Sequence, residues 1–107
     1  MPACVVLCTV PTVEQAGRIA HALVEERLAA CVSVVPGLRS IYRWKGDICD
    51  DAEQLLLIKT RRDALPALMQ RLPALHPYQV PEILALEPAG VLPAYLNWLL
   101  EATEAAL

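Results

Sequence analysis

CVSVVPGLRSIYRWKGDICDDAEQLLLIKT, residues 31–60, reads as two long strands folded back on each other at Lys45-Gly46-Asp47. Gly46 supplies the positive φ that a tight hairpin turn needs. The outgoing arm runs over residues 31–35, is interrupted at Pro36-Gly37 and resumes over residues 38–44. The return arm runs from Ile48 to Thr60. Arg39 and Arg43 on one arm lie near the level of Asp50, Asp51 and Glu53 on the other, a solvated charged edge. Such cross-strand pairs fix a register, each worth about 0.2–1 kcal/mol. Leu55-Leu-Leu-Ile58 is apolar on both faces, which assigns the return arm to the interior of a sheet.

Working outward from the hairpin, each side carries a strand and a helix. Ala3–Val10 is β-rich and apolar on both faces, and Pro11 ends it. Thr12 and Gln15 have capping-box spacing, opening a helix that buries Ala16, Ile19, Ala20, Leu23 and Leu28. Glu14, Arg18, His21 and Glu25 form its wet stripe. On the other side Asp63 is placed to cap a second helix, with Pro66 in its first turn. Leu65, Leu68, Met69, Leu72 and Leu75 give its buried stripe, and Pro73 is expected to kink or shorten its end. A segment stiffened by Pro77 and Pro81 then feeds a strand through Glu87, and Pro93 begins a third helix burying Leu96, Leu99 and Leu100.

The order β-α-β, β-α-β, helix is that of a ferredoxin-like split βαβ sandwich, an α+β class, as one domain over residues 1–107. Helices are expected over one sheet face. The other face is also apolar, around Ala3–Val10 and residues 55–58, and needs a partner.

Composition agrees. Of 107 residues, 56% are apolar and 5% aromatic, with mean hydropathy +0.41. A domain this small buries only about 60–70% of its unfolded surface, so apolar surplus reaches the outside. The net charge of −3 is a poor footprint for nucleic acid or anionic membrane. No apolar run approaches the roughly 20 residues of a membrane span. Residues 1–11 lack the positive start of a signal peptide, so a cytoplasmic location is expected.

Four cysteines stand at Cys4, Cys8, Cys31 and Cys49 without a C-x-x-C pair. Cys4 and Cys8 on one strand lie about 13 Å apart, beyond disulfide or shared metal reach, and read as small buried hydrophobes. No G-x-S-x-G, H-E-x-x-H or Walker loop occurs, so no enzyme is expected. The sole Asn, Asn97, falls in the last helix, and the first and central strands lack the aromatics that stack RNA on this fold.

Several segments, in order, resemble the CutA divalent-cation tolerance family. They are Thr9-Val-Pro11, Leu23-Val-Glu-Glu-Arg-Leu-Ala-Ala-Cys-Val32, Pro36-Gly37, Ser40-Ile-Tyr-Arg-Trp44, Leu57-Ile-Lys-Thr60, His76-Pro-Tyr78 and Val80-Pro-Glu-Ile83. The resemblance implies a homotrimer with sheets packed inward and the long hairpin reaching a neighbour. It also implies a link to copper and other divalent metals, without a settled enzymatic activity. Residues bordering the family's intersubunit clefts match Cys31, Trp44, Lys59, His76, Tyr78 and Glu82. The chain departs from the family pattern at Gln79, commonly acidic, and at Ser33, commonly Asn.

Cys31 and His76 are the soft ligands on offer, since thiolate and imidazole suit copper and zinc. The plainer readings make Cys31 a buried strand residue and His76 a polar cap at a helix C-terminus. Glu82 lies six residues beyond His76, up to roughly 20 Å away on an extended path. A site built from Cys31, His76 and Glu82 therefore belongs between subunits, with copper or another divalent cation bound weakly. Trp44, Lys59 and Tyr78 are expected to line the intersubunit cleft, and Tyr42 with Trp44 to anchor the trimer. Lys59 is free to meet an anion or to pair with a carboxylate such as Glu82. The alternative is a PII-like signalling trimer that takes a small anionic metabolite near Lys59.

Overall fold

The computed structural model describes residues 1–105. Its elements are β1 (Ala3–Val10), α1 (Val13–Glu25), β2 (Cys31–Trp44), β3 (Asp47–Arg61), α2 (Leu65–Leu75), β4 (Leu84–Leu86) and α3 (Pro93–Ala102). A four-stranded sheet runs in the order β2-β3-β1-β4, every neighbouring pair antiparallel. This is the split βαβ arrangement, α+β in class, with β1 inserted between β3 and β4.

Local chemistry sets the element ends. The Thr12 Oγ1 accepts the Gln15 amide at 3.2 Å and starts α1, while the Thr12 hydroxyl donates to the Gln15 side-chain carbonyl. Lys45 and Gly46 both take positive φ, 49° and 86°, which is the turn geometry that matches the twist of a two-residue hairpin. Gly37, at φ 74°, sits in the register shift between Val35 and Leu38, where the sequence breaks its strand pattern.

The core lies between the sheet and two helices. Cys4, Val6, Cys8 and Val10 alternate onto one face with Leu56 and Ile58, beneath Ala16, Ile19 and Leu23 of α1 and Leu68 and Leu72 of α2. His21 is exposed, as its stripe predicts. The opposite face carries Val5, Leu7, Leu55 and Leu57, each only half-buried.

Four expectations are corrected. The helices do not all share a face: Leu99 of α3 packs with Ala3 and Ala30, and the Leu100 carbonyl accepts from Arg61 at 3.4 Å. Ala3 and Arg61 are register partners that alternate onto the face opposite the main core, so α3 covers one end of that face. The helix after β3 is not capped by Asp63. Arg61 donates to the Asp63 carboxylate at 2.6 Å, residues 62–64 form a 3-10 turn, and Ala64 precedes α2 without a side-chain cap. Pro73 does not shorten α2, which continues to Leu75. The last strand is only three residues long, because Pro77 and Pro81 hold the preceding segment out of the ladder.

The hairpin outgrows the sheet. Pairing of β1 with β3 stops at Val10 and Gln54, so residues 38–53 continue as a two-stranded arm, and the molecule reaches 44 Å along its longest axis. Arg39 grips Asp50 through two bonds of 2.7 and 2.6 Å, whereas Arg43 donates to the Gly46 carbonyl instead of a carboxylate. Ile41, Tyr42, Trp44 and Ile48 remain exposed on this arm.

Candidate functional site

The segment after α2 is pinned by a buried histidine. His76 is 8% exposed, its Nε2 lies 2.8 Å from the Thr9 carbonyl oxygen, and its Nδ1 accepts the Tyr78 amide at 3.1 Å. These partners select the neutral tautomer with the proton on Nε2, donated to Thr9. The ring also packs against Tyr78, with centroids 4.9 Å apart. Held this way, the Tyr78 hydroxyl donates to Glu53 Oε2 at 2.7 Å.

Glu53 is only 4% exposed, which removes it from the wet hairpin edge that the charge pattern suggests. It lines a cavity of about 620 Å³ between the hairpin arm and residues 77–82. Tyr42, Trp44, Tyr78 and Val80 supply walls, and Glu82 adds a second carboxylate. Burial, followed by the bond to Glu53, pushes the Tyr78 hydroxyl well above the ordinary tyrosine range. Burial likewise pushes the Cys8 thiol up to about 12, reinforced by the charges of Glu82 and Glu53. On the rim, Tyr42 donates to the Asp51 carboxylate, which holds its hydroxyl up at about 12.

Cys31 and Lys59 form a different corner. They are register partners on β2 and β3, with Lys59 Nζ 3.8 Å from Cys31 Sγ and donating to Ser33 Oγ. Lys59 makes no ion pair with Glu82 among the described residues. Tyr95 of α3 closes the corner with Val5 and Leu99 around a second cavity of about 390 Å³.

One chain does not bring the three expected metal ligands together. Cys31 sits level with Lys59 and Val5, while His76 bonds Thr9, which is level with Leu55. Four residues of strand separate these levels, about 13 Å. Both His76 ring nitrogens are engaged, and among the described residues no group of three His, Cys, Asp or Glu side chains is placed to hold a metal ion. The donors of a single chain therefore do not make a closed metal centre. Trp44, Tyr78 and Glu82 do share one cavity, and Tyr42 shares it with them. Glu53 and Thr9 are the members that sequence reasoning misses. Glu53 has the same strand parity as Leu55 and Leu57, which is the available signal.

No helix among the described residues is long and apolar enough to cross a membrane. The family model described as CutA1 divalent ion tolerance protein matches residues 4–102. The divalent-cation tolerance protein CutA of Thermus thermophilus is 61% identical over 99 residues, covering 92% of this chain and 96% of that protein. The chloroplastic protein CutA of Arabidopsis thaliana is 45% identical over 103 residues, which are 96% of this chain and 57% of that longer protein. The solved divalent cation tolerance protein (Cut A1) of Thermus thermophilus superposes with a TM-score of 0.92 at 59% identity, over 95% of this chain and 99% of that one. These matches favour cation tolerance over the PII-like alternative.

Proposed function

The chain belongs to the CutA family of divalent-cation tolerance proteins, and from that premise we propose that it works as a homotrimer binding copper-like cations weakly at the seams between copies. The observation that carries this reading is the unsupported arm. Residues 38–53 extend beyond the sheet as two strands with Ile41 and Ile48 at 67% and 64% exposure, and an isolated two-stranded ribbon is marginal in water. A neighbouring copy supplies the missing support, with Tyr42 and Trp44 as its anchors. The half-buried Val5, Leu7, Leu55 and Leu57 extend the same apolar surface.

The proposed cation site combines Cys31 from one copy with Glu82 and His76 from the next, and Trp44, Lys59 and Tyr78 line the cleft around it. Thiolate and imidazole donors favour copper over hard cations. His76 joins only by giving up its bond to Thr9 or to the Tyr78 amide, and that cost keeps affinity low. The role is binding, not catalysis, since the relatives' names describe tolerance and no reaction. A cytoplasmic location suits four free thiols, which persist in a reducing compartment.

Calorimetry with copper tests the ligand set. Cys31→Ala is expected to weaken binding by about tenfold, the value of roughly 1.4 kcal/mol for one lost donor. Unchanged affinity would remove Cys31 from the site.

A further inference from the structure

Lys59 stands directly beside one ligand of the proposed cation site. It and Cys31 are register partners on β3 and β2, and its Nζ lies 3.8 Å from Cys31 Sγ. Ser33, two residues further along β2 and on the same face, steadies the ammonium by accepting it on Oγ. Among the described residues no carboxylate lies within ion-pair distance of Lys59. Tyr95 of α3 borders the same corner. Burial, followed by proximity to Cys31, holds its hydroxyl above the ordinary tyrosine range, so it stays protonated and adds no negative charge. The charge set against the sulfur is therefore positive.

A metal ion bonded to Cys31 Sγ comes under the field of that ammonium. Coulomb repulsion scales with the product of the charges, so a divalent ion is opposed twice as strongly as a monovalent ion at the same place. Cys31 and Lys59 are both half-buried, where solvent and salt screen only part of the effect. The thiol gives up the same proton to either ion, so that step cancels from the comparison. Thiolate chemistry itself accepts both Cu(I) and Zn(II). The charge of Lys59 acts on the choice between them.

We propose that Lys59 is a specificity-determining residue of the Cys31 site, its ammonium selecting singly charged Cu(I) over divalent ions such as Zn(II). This rests on the cation site proposed above and adds the charge state of the ion it takes. Lys59 is no ligand in this role, and acts on the ion across space.

The test titrates the full chain with Cu(I), kept reduced without oxygen, and separately with Zn(II), each against a competing chromophoric chelator. The readout is the ratio of the two affinities. Lys59→Gln is expected to raise Zn(II) affinity about tenfold more than Cu(I) affinity, a change of roughly 1.4 kcal/mol in the ratio. Lys59→Arg keeps the charge and is expected to keep the parent's ratio. Ser33→Ala leaves Lys59 in place but releases its ammonium toward solvent, and is expected to move the ratio the same way by a smaller factor. Lys59 is only half-buried, so none of these variants empties the core. An unchanged ratio in Lys59→Gln, or the same shift in Lys59→Gln and Lys59→Arg, would overturn the proposal. Cys31→Ala separates this failure from that of the site itself. If it weakens both ions while Lys59→Gln leaves the ratio alone, only the role of Lys59 fails; if it weakens neither, the Cys31 site fails and this inference with it.

Discussion

The stretch of β3 from Glu53 to Lys59 carries opposite charges on one face at its two ends. At one end Lys59 reaches Ser33 and Cys31 in a corner that is half open. At the other, Glu53 is enclosed beneath Tyr78 and the His76 lock. Among the described residues Lys59 meets a thiol sulfur and a hydroxyl, and Glu53 meets one hydroxyl, so neither forms an ion pair. Their difference is one of rigidity: the Glu53 end is held by hydrogen bonds that cross from β1 to the segment after α2, and the Lys59 end by a flexible side chain on the sheet surface.

That contrast can be broken most severely at the lock. His76→Ala removes a buried ring and two hydrogen bonds, and is expected to cost about 2–4 kcal/mol in denaturant unfolding. Ser33→Ala at the other end is expected to fall within about 0.5 kcal/mol of the parent. Equal losses would mean that the two ends are equally rigid. Next in size, Tyr78→Phe takes the Tyr78 hydroxyl away from Glu53 Oε2, an expected loss of about 1–3 kcal/mol by the same measurement.

A pH titration sharpens the comparison from the side of Cys8, beneath the carboxylates. Its thiol is raised from 9.0 to about 12 in the fold, so the folded chain holds this proton more tightly than the unfolded one. The stability it contributes is complete below pH 9 and is lost as pH rises toward 12. Thermal melts between those limits should fall less steeply in Cys8→Ala than in the parent chain. The smallest effect is expected from Asp50→Asn on the exposed arm, whose pair with Arg39 is solvent-screened. Melts in added salt should show that pair fading while the His76 and Glu53 contacts persist.

The rigid end is also the harder one to read from sequence. Strand alternation, Thr12, Gly46 and the Pro36-Gly37 break are local signals, and they yield β1, α1 and the hairpin with its bulge. His76 follows a helix end, where a histidine ordinarily caps carbonyls. Its burial comes from the Thr9 carbonyl, 67 residues earlier in the chain. Glu53 sits beside Asp50 and Asp51, so its charge reads as part of a wet edge, and only the arrival of Tyr78 encloses it. The side chosen by α3 is equally non-local, because it follows from Ala3 and Ala30 leaving room for Leu99. Cys31 and Lys59 fall on facing strands as the hairpin reading expects, since β-pairing follows from the turn.

The proposed homotrimer covers the projecting arm and the bare sheet face of each chain with further copies. Light scattering at micromolar concentration measures this directly. The expected mass is three times the chain's 11.7 kDa, and a mass of 11.7 kDa would rule the trimer out.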